Sequence, residues 1–541
     1  MEQSVQLKKR KFHIDQKTIV HIVFIVFFAL SIVVPLIYMF FNMTGEGIKE
    51  VFTSKQFPLA LGNSLATGLT ATVISLVLAL AAAYSVERAG IRATSLWSVI
   101  FVIPMLIPSI SHAFGIITLF GKNGIITNAL HIGGDIYGFW GIVLGSVMYS
   151  FPVAFLMISG ILRYEDSMQY KAARVLGIPF GRRIVSITLP FLRKTLISTF
   201  FAVFTMIITD YGVPLAIGGT TPTLSSLMYN TAVANANYNN GSVIGAVLLI
   251  PAIVAFLVDV LIPEKSQSGF VSEGMEAPDK KWVKVLSYIF CVALSVFVLL
   301  PIIAFCIMSF ATKYPVDMTF TFKHVTNTIE RGAGTLLLNS LLYAFLVALF
   351  GTIIAFFCAY FTSRMKGKLS RVVHLAAIIG MAVPGIVLGL SYLLFFNKSF
   401  IYGTLFIIVL VNSMHFFSSP YLMMYNTLSK VNESLEDVGL SLGIPRWRIM
   451  FNVIIPKVIL TLFEMFVYFF VNSMMTISAV SFLAPPAPKP VALMINQFES
   501  QLLMESAAFV SLLILIVNVF VKGAFSVYKR IKFRKEYKSK A

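Results

Sequence analysis

Uncharged apolar runs long enough to cross a bilayer recur along this chain, parted by short polar stretches. The first extends from about Thr18 to Phe41, behind Lys8, Lys9, Arg10, Lys11 and Lys17. A signal-peptide core is about 7–15 residues, so a run of this length predicts a retained spanning helix of about 20 residues or more. Five more runs follow at 63–85, 95–120, 137–162, 194–217 and 241–262. A polar segment at 263–284 interrupts them, and six further runs lie at 285–309, 336–363, 373–396, 402–427, 458–482 and 506–526. The pattern predicts twelve spans: residues 1–262 as a first six-span repeat, 263–284 as a cytoplasmic linker, and 285–541 as a second six-span repeat with a basic tail.

The two sets repeat one another. Asn63-Ser64-Leu65, Ala83-Tyr84 and Arg88 match Asn339-Ser340-Leu341, Ala359-Tyr360 and Arg364 at a constant separation of 276, which Pro108 and Pro384 keep. Later in each set the separation is 266, because the connection around 121–136 is longer than that around 397–401. An even number of spans per set gives both the same orientation, which is the signature of parallel repeats about an axis normal to the membrane.

Composition agrees with the pattern: of 541 residues, 58% are hydrophobic and 12% charged, against about 25% charged in soluble domains. The net charge of +19 resolves by position. With the N-terminus in the cytoplasm, 34 of the 42 Lys and Arg residues fall on the cytoplasmic side and 8 on the other, which predicts cytoplasmic N- and C-termini. The tail Lys529-Arg530-Ile531-Lys532-Phe533-Arg534-Lys535 then reads as a contact with anionic lipid or as solvated retention charge, and no nucleic-acid partner is needed. Cys291, Cys306 and Cys358 lie in apolar runs without metal-type spacing and predict packed thiols.

Two polar stretches stand out between spans. Lys171-Ala172-Ala173-Arg174-Val175-Leu176-Gly177 continues to Leu189-Pro190, and Asp437-Val438-Gly439-Leu440-Ser441-Leu442-Gly443 continues to Ile455-Pro456. Each predicts a short helix, over Ser167 to Leu176 and Ser434 to Leu442, closed by a glycine in the left-handed region and barred from continuing by Pro179 or Pro445. Small residues (Ala172, Ala173, Gly439) predict a face that another surface approaches closely, with Arg174, Arg182, Arg183, Arg446 and Arg448 as polar grip. No G-x-x-x-x-G-K-[ST] phosphate loop, H-E-x-x-H helix or serine-nucleophile elbow is present. The chain is therefore expected to be non-catalytic, with no cofactor of its own and no metal.

These loops resemble the E-A-A-x-x-x-G-x(9)-I-x-L-P motif of permease subunits of bacterial ABC importers. The resemblance spans nearly the whole chain and implies an all-α integral membrane protein built from two parallel six-helix transmembrane repeats of the MetI-like type, in the cytoplasmic membrane. It implies that Lys171, Ala172, Ala173, Gly177 and Pro190, and Asp437, Val438, Gly439, Gly443 and Pro456, form coupling helices that dock on a cytoplasmic ABC ATPase dimer, where the ATP is bound. It also implies an extracytoplasmic solute-binding protein as the second partner, beside the membrane lipids. Lys171 stands where the family has an acid, and Val438-Gly439 where it has Ala-Ala, so the two docking sites are expected to differ.

Family analogy places the solute pathway at spans 5 and 11, at Thr205, Thr209, Asp210 and Tyr211 and at Asn472, Ser473, Thr476 and Ser478. Asp210 reads equally as a functional acid and as a helix-end hydrogen-bonding residue. Gly218-Gly219-Thr220-Thr221-Pro222 and Ala484 to Pro490 cannot be regular helix, and fit only a surface or a cavity wall. The duplicated form is similar to the fused permeases of ferric-iron and phosphonate importers. Met475-Thr476-Ile477-Ser478-Ala479-Val480-Ser481-Phe482-Leu483 resembles the T-V/I-S-A-V-x-F-L stretch of 2-aminoethylphosphonate permeases, which favours that solute, with ferric iron as the alternative. An ion-coupled secondary transporter is the competing class, and the scarcity of acids within the spans speaks against it.

Overall fold

Nine helices among the described residues are long and apolar enough to cross a membrane, and three bent helix pairs bring the number of spans to as many as twelve. The structure, a computed structural model, describes residues 16–131, 135–165, 167–261, 281–432, 434–483 and 489–540. It is almost wholly helical; the described strands form one short antiparallel hairpin, Ala311–Lys313 with Asp317–Phe320. Most of the segment read as a linker, and Ala484–Pro488, lie outside the described residues. The helix Lys281–Phe310 begins inside the range given to that linker.

The bent pairs depart from the straight spans expected at 95–120, 373–396 and 402–427. Thr94–Leu106 and Ser109–Leu130 meet at 100°, and Lys368–Ala382 and Gly385–Phe396 at 107°. Pro108 and Pro384 cause both breaks: a proline pushes the residue before it out of the helical region, and Ile107 and Val383 are extended. The third pair, Leu405–His415 and Ser418–Ser429, bends by 55°. Spans 5 and 11 also end earlier than the apolar runs, at Thr209 and Met475, because Asp210 and Thr476 turn the backbone into the extended region.

Large apolar side chains such as Val23, Leu30, Val77, Leu338 and Phe350 point outward, the surface a bilayer would cover. Spans 2 and 8 carry small residues on part of their inward faces. Ala79 and Ala83 of the Gln56–Glu87 helix, and their repeat partners Ala355 and Ala359 of the Ala333–Arg364 helix, are fully buried, which lets helices approach closely.

The two sets exchange their first spans. Tyr392 donates to the Ser31 carbonyl at 2.6 Å and Phe28 packs edge-on against Phe417, so the first span lies on the second set. Conversely the Arg92 amide donates to the Tyr288 hydroxyl at 2.6 Å, and Pro301 presses against Gly115, where a Cβ would come within 2.4 Å. The last span joins this embrace: Asn518 donates to the Leu106 carbonyl at 2.9 Å, and Ser111 and Ser511 share a bond of 2.8 Å. Neither set is therefore an independent unit; one apolar core runs through both.

Candidate functional site

The first polar loop forms a helix over Ser167–Val175, the second over Ser434–Ser441. Both end in the same cap. Gly177 (φ +70°) and Gly443 (φ +74°) are left-handed, the amide of Ile178 bonds back to the Ala173 carbonyl at 3.0 Å, and that of Ile444 to the Gly439 carbonyl at 2.9 Å. This six-to-one closure with glycine at the left-handed position satisfies carbonyls the helix end would leave open. Nothing lies within 4 Å of where a Cβ would stand on either glycine, so backbone conformation rather than space selects it.

Beyond the caps the copies stay parallel. Short helices Phe180–Arg183 and Arg446–Ile449 lead into π-turns at Ile184–Thr188 and Met450–Ile454, and then into the spans Leu189–Thr209 and Ile455–Met475. Pro190 and Pro456 stand where the π-turns pass into those spans.

Each loop is tied to its own set by a buried ion pair. Arg88, at the end of the Gln56–Glu87 helix, meets Glu165 at 3.0 Å, both nearly inaccessible. The same guanidinium donates to the Leu162 carbonyl, Thr188 donates to the Glu165 carboxylate at 3.4 Å, and the Tyr170 and Thr188 hydroxyls are bonded. Burial holds the Glu165 carboxyl above the usual carboxylate range although Arg88 and Thr188 pull it down. In the second set Arg364 Nε pairs with Glu436 Oε1 at 2.9 Å without hydrogen-bond alignment, and Tyr360 donates to Glu436 Oε2 at 3.0 Å. The arginines keep the repeat separation, but the acid has moved from before the helix into its first turn. The arginine pair was visible as a repeat; its acids were not, because they occupy different positions in the two copies.

Of the three small residues expected to face outward, Ala172 does and Ala173 and Gly439 do not. Ala173 and Gly439 are buried, and a Cβ on Gly439 would come within 2.5 Å of Ile449 Cδ1. Gly439 is small because Ile449 of the next helix packs on it. The outward side carries Lys171, Ala172, Asp437 and Val438 together with large apolar groups: Val175 is 88% exposed, Leu176 76% and Leu442 72%. Leu176 and Leu442 occupy the same place, directly before the capping glycine. These apolar side chains are left uncovered on the outward side of both loops. Pro190 and Pro456 are exposed as well.

At the opposite ends of spans 5 and 11 the expected pathway residues are engaged to different degrees. Asp210 accepts from Ser109 at 2.5 Å and from the Val213 amide at 3.0 Å, so its carboxylate caps the Gly212–Ile217 helix and joins it to the bent third span. Thr209, Asn472 and Thr476 bond to carbonyls of their own helices. Tyr211 shares a bond of 2.7 Å with Ser481 of the other set. Thr205 Oγ1 and Ser473 Oγ are buried without a partner. Ser478 Oγ lies 2.5 Å from where a Cβ on Gly385 would stand, and Ser109 Oγ lies 2.7 Å from the same point on Gly212. Gly218 to Thr221 lies outside regular helix, as expected, in a turn closed by the Thr221 amide on the Gly218 carbonyl at 2.8 Å.

A family model described as "Binding-protein-dependent transport system inner membrane component" matches the chain twice, over residues 75–263 and 351–531. The ferric transport system permease protein FbpB of Actinobacillus pleuropneumoniae is 25% identical over 92% of this chain and 76% of its own length. The Fe(3+)-transport system permease protein FbpB 2 of Haemophilus influenzae is 21% identical over 84% of this chain and 87% of its own. A thiamine transport system permease protein, ThiP, of Brucella abortus is 26% identical over 22% of this chain.

Proposed function

The chain belongs to the family of binding-protein-dependent transport system inner membrane components, and from that premise we propose that it carries ferric iron into the cytoplasm as the permease of an ABC importer. The observation that supports the coupling role is the pair of identically capped loop helices with Leu176 and Leu442 turned outward. A cytoplasmic ATPase dimer grips these two helices, and an external solute-binding protein delivers the cargo to the other ends of spans 5 and 11. Nucleotide closure of the ATPase dimer moves the loop helices; the buried Arg–Glu pairs pass that motion to spans 2 and 8, and the π-turns pass it to spans 5 and 11.

The ferric cargo is favoured by the names of relatives that cover more than four-fifths of the chain. The 2-aminoethylphosphonate reading rests on the Met475–Leu483 stretch alone and takes second place. The test is uptake of 55Fe(III) by proteoliposomes holding this chain, its ATPase and its binding protein. ATP-dependent 55Fe accumulation is expected. Uptake driven by an ion gradient without the ATPase would overturn the ABC mechanism, and uptake of 2-aminoethylphosphonate without iron would overturn the cargo.

A further inference from the structure

Ser64 accepts from the Leu224 amide at 2.7 Å, and Ser340 accepts from the Val491 amide at 2.7 Å. This pair of matching bonds fixes the register of the segments that follow spans 5 and 11: they correspond at a separation of 267. Tyr229 and Asn496 are therefore equivalent positions of the two repeats, and in the structure they are neighbours. Asn496 sits beside the phenol oxygens of both Tyr229 and Tyr211. Under a two-fold relation a position meets its own image only next to the axis, so this cluster lies on the line between the repeats, at the end of the spans away from the loop helices.

The cluster closes that line. Tyr211 and Tyr229 stack with ring centroids 4.6 Å apart, and Tyr211 is latched across the axis to Ser481 at 2.7 Å. The Asn496 amide nitrogen and oxygen are both buried without completing a hydrogen bond of good geometry. Glu499, one turn further on, lies within electrostatic reach of Tyr229 and has no cation partner among the described residues. Two phenols, a carboxylate, an amide and a hydroxyl present oxygen donors with neither thiol nor imidazole, a set suited to a hard, highly charged cation.

We propose that Tyr229 and Asn496, meeting across the repeat axis, form the outer gate of the solute pathway, with Tyr211 and Ser481 as its latch and Glu499 as the group that receives a hard cation on entry. The gate follows from the repeat geometry; the cation as ligand rests on the ferric reading above. A solute arriving from outside must part Tyr229 from Asn496, and the freed phenol, amide and carboxylate oxygens replace water around it.

The test uses the full transporter with its ATPase and binding protein, and a chain in which Cys291, Cys306 and Cys358 are replaced by alanine. Tyr229→Cys with Asn496→Cys is bridged by a short reagent that a reductant cleaves. Bridging is expected to lower 55Fe(III) uptake at least tenfold and reductant to restore it. Full bridging with unchanged uptake overturns the gate, as does failure to bridge when Tyr211→Cys with Ser481→Cys does bridge. If the unaltered complex takes up no 55Fe(III), the ferric reading falls, and the gate is then judged by whether bridging abolishes ATPase stimulation by the loaded binding protein. Glu499→Gln is expected to cut 55Fe(III) uptake several-fold while that stimulation persists; unchanged uptake removes Glu499 from the site.

Discussion

Arg88 and Glu165 form an ion pair of 3.0 Å at the root of the first loop helix, each about 95% or more withdrawn from solvent. Arg364 and Glu436 repeat it in the second set at 2.9 Å, with the acid drawn from a different point of the chain. The first loop is thus held by the segment entering its helix and the second by the helix itself. Removing one partner of a buried pair leaves an uncompensated charge, at a cost of about 3–5 kcal/mol. Arg364→Ala is expected to lower the melting temperature of the purified protein and to abolish uptake. Arg364→Glu with Glu436→Arg should recover more of both than either single change, measured by melting in detergent and by transport.

Gly439 leaves no room for a methyl group beside Ile449. Gly439→Ala should therefore displace the second loop helix, at about 1–3 kcal/mol for overpacking, whereas Ile449→Ala added to it should relieve the strain. Ala172, which is exposed, should accept serine with no change in stability. Melting curves of the four proteins check this.

Ser109 faces Gly212 where Gly385 faces Ser478, so each contact holds one serine and one glycine in opposite order. Gly212→Ser alone places a side chain against Ser109 Oγ and should destabilise the chain. Ser109→Gly with Gly212→Ser copies the arrangement of the second set and should recover part of the loss. Full recovery is not expected, because Asp210 also gives up its bond from Ser109. The recovered fraction can be read from the yield of monodisperse protein in detergent.

Burial pushes the Glu499 carboxyl up from its ordinary 4.5 to about 7. Between those values the folded protein keeps a proton that the unfolded chain has released, so this group's contribution to stability falls as pH rises from about 4.5 through about 7 and then levels. Melting temperatures across that window should carry this decline, and Glu499→Gln should remove it.

Much of this architecture was open to reading in one dimension, and the exceptions have physical causes. The caps at Gly177 and Gly443 were legible because a glycine two residues before a proline, after a polar helix, has few other conformations. The prolines at 108 and 384 were legible as residues but not as bends of 100° or more, since an apolar run looks the same whether it crosses straight or folds back inside the protein. The exchange of first spans leaves no local signal. The inward turn of Ala173 and Gly439 was missed because small size does not say which side a residue faces; for Gly439 it is Ile449, on the following helix, that packs there. Asp210 was legible as an exceptional acid at a helix end, and its bond from the Val213 amide is local, yet its other bond comes from Ser109, about a hundred residues away.

The central claim is that the two loop helices grip the ATPase through their outward apolar residues. Its most direct test is co-purification of the ATPase with the full-length double variant Leu176→Asp, Leu442→Asp. Both side chains are largely exposed, so the variant should melt as the unaltered protein does while its ATPase association and 55Fe(III) uptake each fall at least tenfold. A double variant that keeps its full complement of ATPase and its uptake would contradict the account.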